Sequence, residues 1–127
     1  MEAEAVHRLL VIAKEAGASV MVVHLTNKKA YEEIVKAREN GQTVFAETCP
    51  SIFFLTTART ANRIWRSCLC LRAAASKKED QDCLWKALAN GQIQTVATDQ
   101  CSFTLEQKAM GKDDFTKIPG GLPGVQT

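Results

Sequence analysis

Ser19-Val-Met-Val-Val-His-Leu25 is the stretch whose reading decides the fold. Its apolar residues run almost without interruption rather than alternating. That predicts a strand buried on both faces, as in a parallel sheet covered by helices. Upstream, Ala3–Ala16 places Val6, Leu9, Leu10 and Ala13 at i, i+3, i+4 and i+7, one face of an amphipathic helix, with Gly17 as its stop. Downstream, Asn27 is positioned to cap a helix over Lys28–Asn40, with Ala30, Ile34, Val35 and Ala37 inward and Gly41 at its end. Thr43–Glu47 follows as a second short strand. Glu79–Asn90 returns to helix with Leu84, Trp85 and Leu88 inward, and Ile93–Thr98 reads as a third buried strand. Strands alternating with helices specify α/β architecture with parallel strands. Three strands are too few to close a barrel, which needs about 250 residues. The sheet is either small and open or part of a barrel.

The chain has 127 residues, 46% hydrophobic and 24% charged, enough for one ordinary globular domain. No run approaches the ~20 apolar residues that cross a bilayer, and Met1–Ala5 carries two glutamates where a secretory leader carries basic residues. A cytoplasmic location and no membrane partner are expected. The cysteines, Cys49, Cys68, Cys70, Cys83 and Cys101, are odd in number and irregularly spaced, which argues against a disulfide framework. Cys68 and Cys70 lack a second Cys/His pair at zinc-finger spacing. No basic stripe with interleaved aromatics is present, so nucleic acid is not an expected partner. The net charge of +2 comes from residues 51–76, which hold four arginines (Arg59, Arg63, Arg66, Arg72) and no acid; the remainder carries 12 basic and 14 acidic residues.

Active residues of parallel α/β folds gather at the carboxyl ends of the strands. His24, Glu47 and Asp99 fall at the ends of the three expected strands. Neutral imidazole and carboxylate on rigid strand ends suit a metal such as zinc, although each could equally be a satisfied polar residue at a strand terminus. His7 falls on a helix surface, Lys77-Lys78 reads as a solvated pair, and Asp113-Asp114 are adjacent loop carboxylates that diverge. Gly120, Gly121 and Gly124 lack the strand before and helix after that a phosphate loop requires.

Longer motifs carry a family resemblance. Ala97-Thr-Asp-Gln-Cys-Ser-Phe-Thr104, continuing Glu106-Gln-Lys-Ala-Met-Gly-Lys-Asp-Asp-Phe-Thr-Lys-Ile-Pro-Gly-Gly121, closely resembles the last-strand motif of the dihydropyrimidinase/D-hydantoinase family of cyclic amidohydrolases. Val22-Val-His-Leu-Thr26, followed by a helix and Phe45-Ala-Glu-Thr-Cys-Pro50, resembles the family's sixth-strand region, and the 75-residue spacing from His24 to Asp99 also fits. The resemblance covers nearly the whole chain outside 51–76. It implies a partial (β/α)8 TIM barrel, roughly the sixth to eighth strand units, with residues 1–127 a fragment of the catalytic barrel. His24 matches a histidine that binds one of two zinc ions. Asp99 matches the aspartate that binds the other and serves as general base, and Gly120 stands where the family has an asparagine that contacts substrate through its backbone. The implied reaction is attack of a zinc-bound hydroxide on a dihydropyrimidine or hydantoin, giving an N-carbamoyl amino acid. A small cyclic amide or imide is the implied partner, and a homotetramer the implied full-length assembly. The family's first-strand His-x-His, its carboxylated lysine and its fifth-strand histidine would all precede residue 1, leaving two of six ligands here. Gln100 replaces a common histidine.

Residues 51–76 depart from the family, and a reading frame shifted by one base near Pro50 and restored near Ser76 would explain how. Ser51-Ile-Phe-Phe-Leu-Thr-Thr57 can be encoded AGT-ATC-TTC-TTC-TTG-ACG-ACA. Preceded by C and read one base earlier, it gives Gln-Tyr-Leu-Leu-Leu-Asp-Asp, the family's pattern. The competing explanation is a divergent insert, and the encoding DNA distinguishes them. Two other function classes stand beside the hydrolase. One is a non-catalytic scaffold relative, against which retention of His24 and Asp99 argues. The other is an independent small α/β binding module, which would unfold cooperatively as a monomer.

Overall fold

The computed structural model describes residues 1–54, 77–111 and 113–122. The cysteine pair Cys68/Cys70 and the proposed frame change beyond residue 54 lie outside the described residues. Helix α1 spans Glu2–Glu15, strand β1 Val20–Val22, α2 Lys28–Glu39, β2 Val44–Thr48, and α3 Pro50–Phe54. Then come α4 over Lys78–Ala89, β3 over Thr95–Val96, α5 over Leu105–Ala109 and a 3-10 turn at Phe115–Lys117. The strands form a parallel sheet in the order β1-β2-β3. The mixed α/β class with parallel strands agrees with the sequence reading.

Local chemistry accounts for the helix limits. The Asn27 side chain accepts a hydrogen bond from the Ala30 N–H at 2.9 Å, capping α2 as its sequence position predicts. At the other end of α2, Gly41 turns the chain at φ +81, which L side chains rarely adopt. The Gln42 N–H then reaches back to Ala37 O at 3.0 Å, closing the last turn; α1 and α4 end by the same bond pattern, Ala18 N–H to Ala13 O and Gln92 N–H to Ala87 O. Glu2 and Glu4 at the start of α1 and Lys14 at its end complement the helix dipole.

The core lies on one face of the sheet. Val22, Val44 and Ala46 point into it with Val6 and Leu10 of α1, Ala30 and Ile34 of α2, and Leu84 of α4. Ile52 of α3 joins them, so the first residues of the atypical segment pack normally. The other face is largely exposed among the described residues. Met21, Val23 and Phe45 are 46%, 49% and 47% exposed, which corrects the expectation of a strand buried on both sides. β1 is apolar on both faces, so its sequence has no phase from which the covered side could be read. Three further expectations are corrected. β3 is two residues long and exposed. Leu9 is exposed, because α1 meets its neighbours along Val6, Leu10 and Ala13. Trp85 is 49% exposed and stacks on Phe53 with ring centroids 4.1 Å apart, while Gln81, Leu84 and Ala87 form the buried stripe of α4.

Arg38, at the end of α2, ties the second crossover together. Its Nε donates to Val44 O at 2.8 Å, its Nη1 to Gln92 O at 2.7 Å, and its Nη2 to Gln94 Oε1 at 3.0 Å. Gln94 Oε1 also accepts from Ala46 N–H at 2.9 Å, so one guanidinium sets the register of β2 against the segment leading into β3.

Candidate functional site

The three strands run in the same direction, so their carboxyl ends open on one edge of the sheet. Past β1 comes His24, within β2 comes Glu47, followed by Cys49, and past β3 comes Asp99. His24 and Asp99 are the two non-glycine residues with positive φ among the described residues, at +54 and +46. Left-handed backbone carries a steric cost for L residues other than glycine, reduced for Asp and His. Residues held there cluster at functional sites. Here the conformation turns both side chains toward each other: His24 Nε2 lies 3.6 Å from Asp99 Oδ2.

The opposite edge of the imidazole faces β2. Cys49 Sγ is 3.2 Å from His24 Nδ1, and Glu47 Oε1 is 3.7 Å from it. Glu47 is largely covered, its side chain 12% exposed. Its other oxygen accepts a hydrogen bond from Thr95 Oγ1 at 3.2 Å, from the residue paired with it in the parallel register. Burial, reinforced by the negative charges of Asp99 and Glu47, pushes the Cys49 thiol up to about 11. It stays protonated at neutral pH and is a poor nucleophile.

Gly120 reaches the same place through its own supports. The segment after Asp99 bridges in parallel to Leu122, with Cys101 N–H donating to Leu122 O at 3.0 Å. A Cβ on Gly121 would sit 2.6 Å from Cys101 Cβ, so this close approach requires glycine. Lys108, buried on α5, donates from Nζ to Pro119 O at 2.6 Å and to Gly121 O at 2.8 Å, clamping the loop on both sides of Gly120. His24, Asp99 and Gly120 line one cleft of about 790 Å³, together with Cys49 and with Glu2 of α1. Glu2 anchors that helix end by accepting from Thr26 N–H at 2.8 Å and Asn27 Nδ2 at 2.6 Å, and also from the Thr26 hydroxyl.

His7 lies on the surface as expected, its Nδ1 2.8 Å from Glu33 Oε2 on α2. Asp114 is engaged by Thr116, two residues along the chain. It accepts from Thr116 N–H and Thr116 Oγ1, which hold its carboxyl below the usual range. Sequence reading missed Cys49, Thr95 and Lys108. Cys49 follows Glu47 by two residues, the spacing that returns a strand to one face, and that signal was available. Nothing local marks Lys108, whose partners are eleven and thirteen residues away.

The donors fit zinc in kind and fall short in number. Imidazole nitrogen and carboxylate oxygen are ordinary zinc ligands, but a zinc site takes at least three protein ligands. The described residues contain no group of three or more His, Cys, Asp or Glu side chains placed to hold a metal ion. No helix among them is long and apolar enough to cross a membrane.

The chain is thus a parallel α/β protein that gathers its polar side chains at the carboxyl ends of its strands, where this class places its chemistry. No family model matches it. It is 40% identical over 128 residues to a D-hydantoinase of Streptomyces coelicolor, a match covering 99% of this chain and 27% of the relative. Among solved structures it superposes on the D-hydantoinase (dihydropyrimidinase) of a Thermus species with a TM-score of 0.91 at 34% identity. That superposition covers 95% of this chain and 27% of the other. The dihydropyrimidinase of Brevibacillus agri gives a TM-score of 0.90 at 37% identity over the same shares. The chain belongs to the D-hydantoinase/dihydropyrimidinase family and spans about a quarter of the length of the relatives it matches.

Proposed function

We propose that the chain forms part of the catalytic barrel of a zinc-dependent cyclic amidohydrolase, contributing roughly its sixth to eighth strand units. The activity is ring opening of dihydropyrimidines and hydantoins to N-carbamoyl amino acids. The observation that carries this reading is the convergence of His24, Asp99 and Gly120 on one cleft, in a chain 40% identical to a D-hydantoinase. His24 and Asp99 are the two residues of this chain that would hold zinc. The other ligands come from parts of the protein outside the described residues, and this chain alone is inactive. Two zinc ions per site would supply Lewis-acid polarisation and lower the pKa of bound water.

Within the cleft, Asp99 acts as general base. It takes the proton of the attacking water as oxygen adds to the ring carbonyl carbon, then passes that proton to the ring nitrogen as the C–N bond breaks. The backbone at Gly120, held by Lys108, orients the cyclic amide. The free thiols of Cys49, Cys83 and Cys101 support a reducing, cytoplasmic setting. A homotetramer is the proposed assembly of the full-length protein.

The test is a chimera in which this chain replaces the matching segment of the Streptomyces coelicolor D-hydantoinase, assayed for zinc content and for hydrolysis of dihydrouracil and hydantoin. The expected result is zinc loading with turnover that falls by about 10³-fold or more in Asp99→Ala, while the isolated chain neither turns over nor retains zinc. A folded, zinc-loaded chimera whose turnover ignores Asp99→Ala would refute the reading.

A further inference from the structure

An imidazole presents a lone pair on only one nitrogen when neutral, and the neighbours of the other nitrogen select which. Three groups face His24. Asp99 Oδ2 stands 3.6 Å from Nε2; Cys49 Sγ and Glu47 Oε1 stand 3.2 and 3.7 Å from Nδ1. A protonated thiol can donate or accept, so Cys49 by itself selects no tautomer. The two carboxylates only accept, and they pull the proton in opposite directions. They differ in environment. The Asp99 side chain is 67% exposed and Glu47 12%, so water screens the first far more than the second. Glu47 is also anchored: Thr95 Oγ1 donates to its Oε2 from the adjacent strand, leaving Oε1 turned to the imidazole.

We propose that Glu47, braced by Thr95, is the positioning residue that keeps the His24 proton on Nδ1 and leaves the Nε2 lone pair facing Asp99 and the cleft. The relay crosses the whole sheet, with Thr95 from β3, Glu47 from β2 and His24 from the end of β1. Its use rests on the proposed function, because a lone pair on the cleft side of the imidazole is what His24 would need to hold a metal ion. The arrangement itself is a property of the metal-free chain and is measured there. It also gives Glu47 a role distinct from either proposed ligand, since Glu47 is not among the residues that line the cleft.

The experiment is nitrogen NMR of the metal-free chain labelled with ¹⁵N-histidine, at a pH where the imidazoles are neutral. The sequence has two histidines, His7 and His24, so His7→Gln assigns the spectrum. The expected result is His24 predominantly as the Nδ1–H tautomer. Glu47→Leu, which removes the acceptor, should make Nε2–H the major form. Thr95→Val, on an exposed strand, should move the ratio part of the way with little risk to folding. Cys49→Ala should leave Nδ1–H the major form. His24 mainly as Nε2–H in the parent chain overturns the proposal. So does a ratio unmoved by both Glu47→Leu and Thr95→Val, or one that follows Cys49→Ala instead. Zinc uptake by the chimera described above is scored separately. If zinc never binds while the tautomer responds as expected, the metal reading fails and the role of Glu47 stands.

Discussion

Cys49 shows how one buried residue makes the site sensitive to alkali. Its thiol is held neutral by burial and by two neighbouring carboxylates, up to about 11 against an ordinary value of 9.0. A folded-state pKa raised above the unfolded one favours folding fully below the unfolded value, and that contribution disappears as pH rises through the folded value. The parent chain should therefore lose stability between about pH 9 and pH 11. In Cys49→Ala the loss over that window should be smaller, although the alanine variant starts less stable because it leaves a small cavity. Urea unfolding midpoints at pH 8, 9.5 and 11 check this; parallel pH profiles for the two proteins would show that Cys49 is not the group responsible. The positive φ at His24 and Asp99 belongs to the same scale. It was not legible in the sequence, because neither residue type requires that conformation. The strand-end positions of His24, Glu47 and Asp99 were legible, because they follow from where the apolar runs stop.

At the scale of elements, the three long helices were read more accurately than the strands, and the short α3 and α5 were not read. Asn27, Gly17, Gly41 and Gly91 mark boundaries through local hydrogen bonding, which sequence expresses directly. The strands depend on partners far along the chain, and β3, which pairs with β2 among the described residues, is limited to Thr95–Val96. What joins these elements is Arg38. Removing it leaves three oxygen atoms, Val44 O, Gln92 O and Gln94 Oε1, without their charged donor. Arg38→Ala should cost about 2 kcal/mol, and Arg38→Lys should recover little of it, since an ammonium cannot fork to three acceptors in this geometry. Chemical denaturation measures both, and a lysine variant as stable as the parent would show that the fork geometry is unimportant.

For the whole molecule, the exposed apolar face that the described residues leave on the sheet is the dominant physical fact. Met21 and Phe45 are register partners on β1 and β2, and Val23 extends the apolar surface beyond them. Exposed contiguous apolar surface on a sheet with open edges promotes self-association. The isolated chain should associate increasingly with concentration, and Phe45→Lys should suppress this while changing folding stability little, because the side chain makes no core contact in the described structure. Sedimentation velocity over a concentration series tests the expectation; a chain that stays monomeric at high concentration would contradict it.

The sequence by itself determined the limits of α1, α2 and α4, the parallel α/β class, and the alignment of His24, Glu47 and Asp99 with strand ends, while the short helices α3 and α5 were not read from it. Each feature it determined follows from short-range pattern: periodicity, capping residues and interrupted apolar runs. Only the tertiary structure decided which face of β1 and β2 is covered, since Val20-Met-Val-Val23 is apolar on both sides and carries no phase. Tertiary structure likewise brought Cys49 against His24, Thr95 against Glu47 and Lys108 against the Gly120 loop. Those contacts depend on side chains separated by up to 48 residues, and local preference cannot specify a distance of that kind.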